Sequence, residues 1–181
     1  MLKFTGKKLQ RLGRETRASE IAEAALVLPL MFMTLLGIFW FGQAFRIYGT
    51  ITHAAREGAR AGAAPVCTSC AAGNPVAQNA YNAVHTALAV GKLDVARASH
   101  PSTTPNLISC VDGSAKACDS NFSKVCIQAN VQLSPTASGG TGVCGVSVSF
   151  QYPYQFWFPG TSLNKQLIQL QAAARVRMET Q

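Results

Sequence analysis

From Ala24 to Phe45 the chain carries no charged side chain, and Gln43 is the only strongly polar one. As a helix those 22 residues extend about 33 Å, against roughly 30 Å for the hydrocarbon core of a bilayer. A helix packed on the outside of a soluble domain keeps one polar face, and this run is apolar all round. A secretory signal peptide has an apolar stretch of only ~7–15 residues, followed directly by a small-x-small cut. Here the run is longer, and Phe39-Trp40-Phe41 followed by Gln43 takes the place of such a cut. The reading is a single-pass transmembrane helix over residues 19–46.

The charges orient it. Lys3, Lys7, Lys8, Arg11, Arg14 and Arg17 precede the run, opposed only by Glu15 and Glu20. Basic residues flanking a span mark its cytoplasmic side, so the N-terminus is expected in the cytoplasm. The rest of the chain is then outside the cytoplasm. Trp40 and Tyr48 suit the outer interface, where Arg46 can snorkel. The net charge of +8 could suggest nucleic acid. Past Ile47, however, the basic residues are scattered and form no dense stripe, so no nucleic-acid partner is expected.

All six cysteines, Cys67, Cys70, Cys110, Cys118, Cys126 and Cys144, follow the span. An even number in an exported domain reads as disulfides, with fifteen pairings open. The C-x2-C spacing of Cys67 and Cys70 also admits zinc or thiol chemistry. The other four are widely spaced with no second C-x2-C, so neither metal nor cofactor is expected.

Residues 1–18 form a basic leader. Ser19 can cap a helix, with Glu20 and Glu23 in its first turns, where negative charge suits the dipole. Pro29 should kink it locally. Beyond the membrane the helix is expected to continue over 47–64, with Pro65 helping to stop it. Ala54, Gly58 and Gly62 recur every four residues, as do Ala55, Ala59 and Ala63. Such small faces allow close approach, either to the chain's own domain or to identical helices in a filament. On the opposite face Glu57 can pair with Arg60.

The remainder, 65–181, reads as a small disulfide-containing domain. "CTSCAAGNP" is a turn region. Residues 75–92 show a helical stripe of Val76, Ala80, Ala83, Val84, Ala87 and Leu88, stopped at Gly91. Residues 98–124 read as a long loop held by Cys110 and Cys118. Val125–Leu133 and Val143–Tyr154 alternate as half-buried strands around a "SPTASGGTG" loop. Leu167–Met178 is a third strand by its Arg175/Arg177 alternation, although its alanines also admit helix. The fold class is therefore α+β: a long transmembrane helix extending into a small domain with a second helix and an antiparallel sheet of about three strands.

No catalytic pattern stands out. His53, His85 and His100 are isolated, the carboxylates show no paired spacing, and G-x-S-x-G, P-loop and dinucleotide fingerprints are missing. The chain is not expected to be an enzyme. The aromatic run "FQYPYQFWFPG" reads as core and hairpin turn, or as a contact patch for a neighbour.

Three stretches together carry a family resemblance: "IAEAALVLPL…LLGIFWFGQAF", "THAAREGARAGA" and "VSVSFQYPYQF…LQAAARVRMET". The chain resembles the TadE-like minor pseudopilins of the tight-adherence (Tad/Flp) pilus, a type IV pilus system. That resemblance implies a structural subunit needed to assemble an adhesive pilus. Its implied partners are a prepilin peptidase, other pilins or pseudopilins, the inner-membrane pilus platform and the membrane itself. It also implies processing five residues before a glutamate. Counted back from Glu23, the cut falls between Ala18 and Ser19, with Ala18 standing where the family usually has glycine.

Cleavage would leave Ser19 with a free amine, charged below a pKa of about 7.7–8. Glu23 could neutralise the amine of a neighbouring subunit, or its own, and so set the stagger between subunits. The simpler role is to serve the helix N-terminus and reach water. The alternative for the chain as a whole is an unprocessed, membrane-anchored binding or adhesion module.

Overall fold

The computed structural model describes residues 16–64, 75–133, 143–155 and 167–178. Cys67 and Cys70, the turn and loop read at 66–74 and 134–142, and the aromatic run beyond Gln155 lie outside the described residues. Among the described residues six elements follow one another: helix α1 (Thr16–Ala63), helix α2 (Pro75–Val90), a 3-10 turn (Val95–Arg97) and strands β1 (Cys126–Gln132), β2 (Cys144–Gln155) and β3 (Leu167–Arg177). The chain is α+β, with contacts grouping it into Met1–Gln43 and Ala44–Gln181.

Helix α1 is 48 residues long and passes through Pro29 without ending. It begins at Thr16, so Ser19 lies inside the helix and does not cap it. Arg17 and Ala18 are good helix formers and extend the helix upstream of the serine. In the first unit the apolar side chains point outward: Leu26 is 76% exposed, Met33 74% and Ile38 71%. A helix of a soluble core would bury them. The Thr34 hydroxyl donates to Met31 O at 2.8 Å, which leaves that group no unmet bond in an apolar setting.

The second unit holds the core. From Ile51 to Ala63, α1 buries Ile51, Ala54, Ala55, Ala59 and Ala63. Helix α2 buries Val76, Ala77, Ala80, Val84 and Leu88, close to the stripe expected, with Ala77 added and Ala83 and Ala87 only partly covered. The sheet supplies Val146, Val148, Phe150 and Tyr152 from β2, with Val125 and Ile127 at and just before β1. Each large apolar side chain fully removed from water contributes about 1.5–3 kcal/mol, so Ile51, Leu88 and Phe150 weigh heavily.

The sheet is antiparallel throughout, in the order β1-β2-β3. The third segment is a strand despite its alanines. Ala172, Ala174 and Val176 pair with Phe150, Val148 and Val146 on the core face, and Arg175 and Arg177 stay exposed.

Strand β2 differs from the half-buried strand expected. Ser147, Ser149 and Gln151, on the face away from the helices, are as buried as the apolar residues between them. The loop after the 3-10 turn covers this face. Ser99 bridges Gln151, the Gln151 amide donates to Ser102 Oγ at 2.8 Å, and Gln128 donates to Pro105 O and Lys116 O.

The two described disulfides follow from the same stitching. Asn130 adopts a left-handed φ of 55°, which Asn tolerates better than most residues, and the β1–β2 register shifts between Gln128 and Val131. The bulge lets Cys110 N donate to Asn130 O, while Gln132 N donates to Ile108 O. Gln132 pairs with Cys144 across the sheet, so Cys110 reaches Cys144 and bonds to it. Asp119 N donates to Ile127 O and brings Cys118 to Cys126, its partner.

Candidate functional site

Two parts of α1 carry the features on which a functional reading rests: its N-terminal apolar stretch and its small-residue face. Ala18 and Ser19 lie in the helix near its start. Glu23 is exposed, and among the described residues it forms no ion pair. It sits one residue before the uncharged run. A carboxylate at the edge of a bilayer reaches water or a cation. Further into hydrocarbon it would be expensive. Among the described residues one helix, over Ile21–Ala63, is long and apolar enough to cross a membrane, by length and composition.

The small-residue face is occupied by the chain's own domain. Ala54 is fully buried. A Cβ added at Gly58 would press on Val84 Cγ2 of α2 and lie 3.1 Å from Ala80 O and 3.6 Å from Val148 Cγ1. One added at Gly62 would lie 3.1 Å from Ala80 Cβ and 3.2 Å from Val146 Cγ1. Glycine at these positions thus lets α2 and the sheet close onto α1, and the face is not open to a second helix. On the outer side Glu57 meets His53, one turn back, at 3.8 Å. The expected Glu57–Arg60 pair is replaced by this i,i+4 contact between exposed groups, which contributes little to stability.

The histidines do not converge. His53 belongs to that exposed pair, His85 lies beside Tyr81, and His100 Nε2 donates to Phe122 O at 3.0 Å. The ligand atoms of His100, Cys118 and Cys126 do lie together. However, the two sulfurs are bonded to each other, and zinc takes thiolates, so this group does not fit a metal. The pockets beside Tyr81, Ile47, Cys118 and His53 are open, and their linings contain no paired nucleophile and base.

The sequence reading missed one cluster. Lys92, Leu93, Asp94, Arg97, Tyr152, Pro153, Tyr154 and Gln155 gather around Ile47 of α1 in an open pocket of about 400 Å³. The segments 92–97 and 152–155 that line it are far apart in the sequence, so no local motif reveals it.

Comparison with known proteins gives one match. No curated protein and no solved structure matches the chain. The family model described as TadE-like protein matches residues 19–60, from Ser19 through the apolar run to Arg60. Over that stretch the chain is similar to the TadE-like family.

Proposed function

We propose that the protein is a minor pseudopilin of a Tad/Flp-type adhesive pilus, a structural subunit and not an enzyme. A prepilin peptidase would cut between Ala18 and Ser19. The observation that carries this reading is the outward-facing apolar stretch of α1, with exposed Leu26, Met33 and Ile38, inside the segment that matches the TadE-like family. A helix that is apolar on every side and continuous with a folded domain is anchored in a membrane before assembly and packs against other subunits after it. The match begins at Ser19, the residue that the counted cut makes first.

Glu23 supplies the register. Its carboxylate is exposed, and the new amine of Ser19 lies one helical turn away in sequence. In a bundle of such helices the Glu23 of one subunit neutralises the amine of the next. In low dielectric a mismatched stagger leaves both charges unpaired, and breaking a buried pair costs about 3–5 kcal/mol. Partners are other pilins or pseudopilins and the inner-membrane platform. The domain beyond Ala44 is displayed on the periplasmic side.

The test is Glu23→Ala in a strain that makes the pilus. Membrane insertion should persist and co-purification with partner pilins should fall. Undiminished pilus assembly in that variant would show that the charge pairing is wrong.

A further inference from the structure

We propose that the pocket around Ile47 binds the phosphate of an anionic phospholipid headgroup and holds the domain against the membrane surface. The proposal rests on the anchoring of α1 in a bilayer.

Position comes first. Ile47 lines the pocket and follows the last residue of the uncharged run by two positions, about 3 Å along a helix axis. The turn after α2 packs on the same stretch of α1. A side chain at Gly91 would collide with Thr50 Cγ2, so glycine is needed there for close approach. Strand β2 ends at Tyr154 and Gln155 in the same pocket. Ile47 therefore lies at headgroup level once residues 24–45 span the membrane, and the other pocket residues gather around it.

Chemistry comes second. Lys92 and Arg97 are both exposed cations on the pocket wall, and Arg46 precedes Ile47. The one carboxylate in the lining, Asp94, accepts a hydrogen bond from Ala96 N at 2.9 Å and caps the 3-10 turn. Arg97 lies 5.8 Å from the centre of the Tyr152 ring, which steadies the guanidinium without neutralising it. Tyrosines beside cations suit the headgroup layer, where aromatic side chains concentrate.

At Lys92 the sequence and the backbone conflict. Helix α2 ends with Leu93 N donating to Leu88 O and Lys92 N to Ala89 O, a closure that places Lys92 at a left-handed φ of 58°. Glycine usually fills that position because it pays no steric penalty there. The expected stop, Gly91, is one residue earlier and serves the contact with α1. A lysine held in a strained conformation at a pocket rim, where glycine would be easier, points to a use for its ammonium.

The experiment places the full chain in nanodiscs of phosphatidylcholine, with or without phosphatidylglycerol, and follows amide hydrogen exchange. Phosphatidylglycerol should slow exchange over 91–97 and 152–155 by about fivefold for each cation engaged. Exchange in β1 should not change. Lys92→Gly should raise the melting temperature by relieving the strained turn, yet lose much of the lipid effect, and adding Arg97→Gln should abolish it. Equal protection in both lipids overturns the proposal, as does a lipid effect that survives in the double variant. Protection by inorganic phosphate alone in phosphatidylcholine discs would also overturn it, in favour of a free anion. A chain that fails to enter the discs overturns both the anchor and the pocket, whereas insertion without a lipid effect overturns the pocket only.

Discussion

Gly58→Ala tests whether the close approach of α1 and α2 governs the stability of the domain. Within a helix, replacing glycine by alanine is favourable by about 1 kcal/mol. At Gly58 that gain meets an obstacle. The new methyl presses on Val84 Cγ2 and sits 3.1 Å from a backbone carbonyl, Ala80 O. Val84 is fully buried, and a β-branched side chain in a helix has essentially one rotamer, so it has nowhere to turn. Overpacking of this kind costs about 1–3 kcal/mol. The net expectation is a loss of about 1 kcal/mol, or roughly 4 °C in Tm for a domain of this size. Gly62→Ala is the internal control. Its methyl would lie 3.1–3.3 Å from its neighbours, which a shift of a few tenths of an ångström relieves, so the helix gain should nearly cancel the strain. Near-ultraviolet circular dichroism of the full chain in detergent, followed with temperature, reads both variants. Propensity is common to the two and cancels in the comparison. A Gly58→Ala protein as stable as Gly62→Ala, or more so, would refute the packing argument.

Other expectations concern the disulfides and one carboxylate. Cys110–Cys144 closes a separation of 34 residues and Cys118–Cys126 one of 8. On the chain-entropy account these contribute roughly 4 and 2.5 kcal/mol. Removing the first by paired serine substitution should therefore lower the chemical-denaturation midpoint more than removing the second. Asp112 is held at a pKa of about 2, below its ordinary 3.8, first by the Ser109 hydroxyl and then by Ser114. Its contribution to stability is present above pH ~4 and is lost as pH falls towards 2. A carboxyl NMR titration should show Ser109→Ala raising that midpoint, and an unchanged midpoint would remove Ser109 as the cause.

Much of the architecture was legible because periodicity survives context. The alternation of Arg175 and Arg177 with Ala174 and Val176 named a strand although alanine favours helix, and the pairing with β2 enforces it. The stripe through Val76, Val84 and Leu88 located α2 within two residues. Other features were hidden because they depend on contacts distant in sequence. The polar alternation of Ser147, Ser149 and Gln151 signals a solvated face, and only the loop at 99–116 turns that face inward. Pairing Cys110 with Cys144 needs the bulge at Asn130, which a short Q-A-N-V stretch does not announce. Gly91 carried a sound helix-stop signal, but its lack of a side chain is used against Thr50, and Lys92 takes the left-handed turn. The pocket at Ile47 joins α1, the turn after α2 and the end of β2, so its residues never appear as a motif. At the other end of α1, the sequence could suggest where a processed chain would begin only by counting from Glu23.

That count is also the most direct test of the account. Protein taken from membranes of a strain with an active pilus system, analysed intact and after digestion by mass spectrometry, should begin at Ser19. A mature chain that still begins at Met1 would contradict the pseudopilin reading and leave an unprocessed membrane anchor in its place.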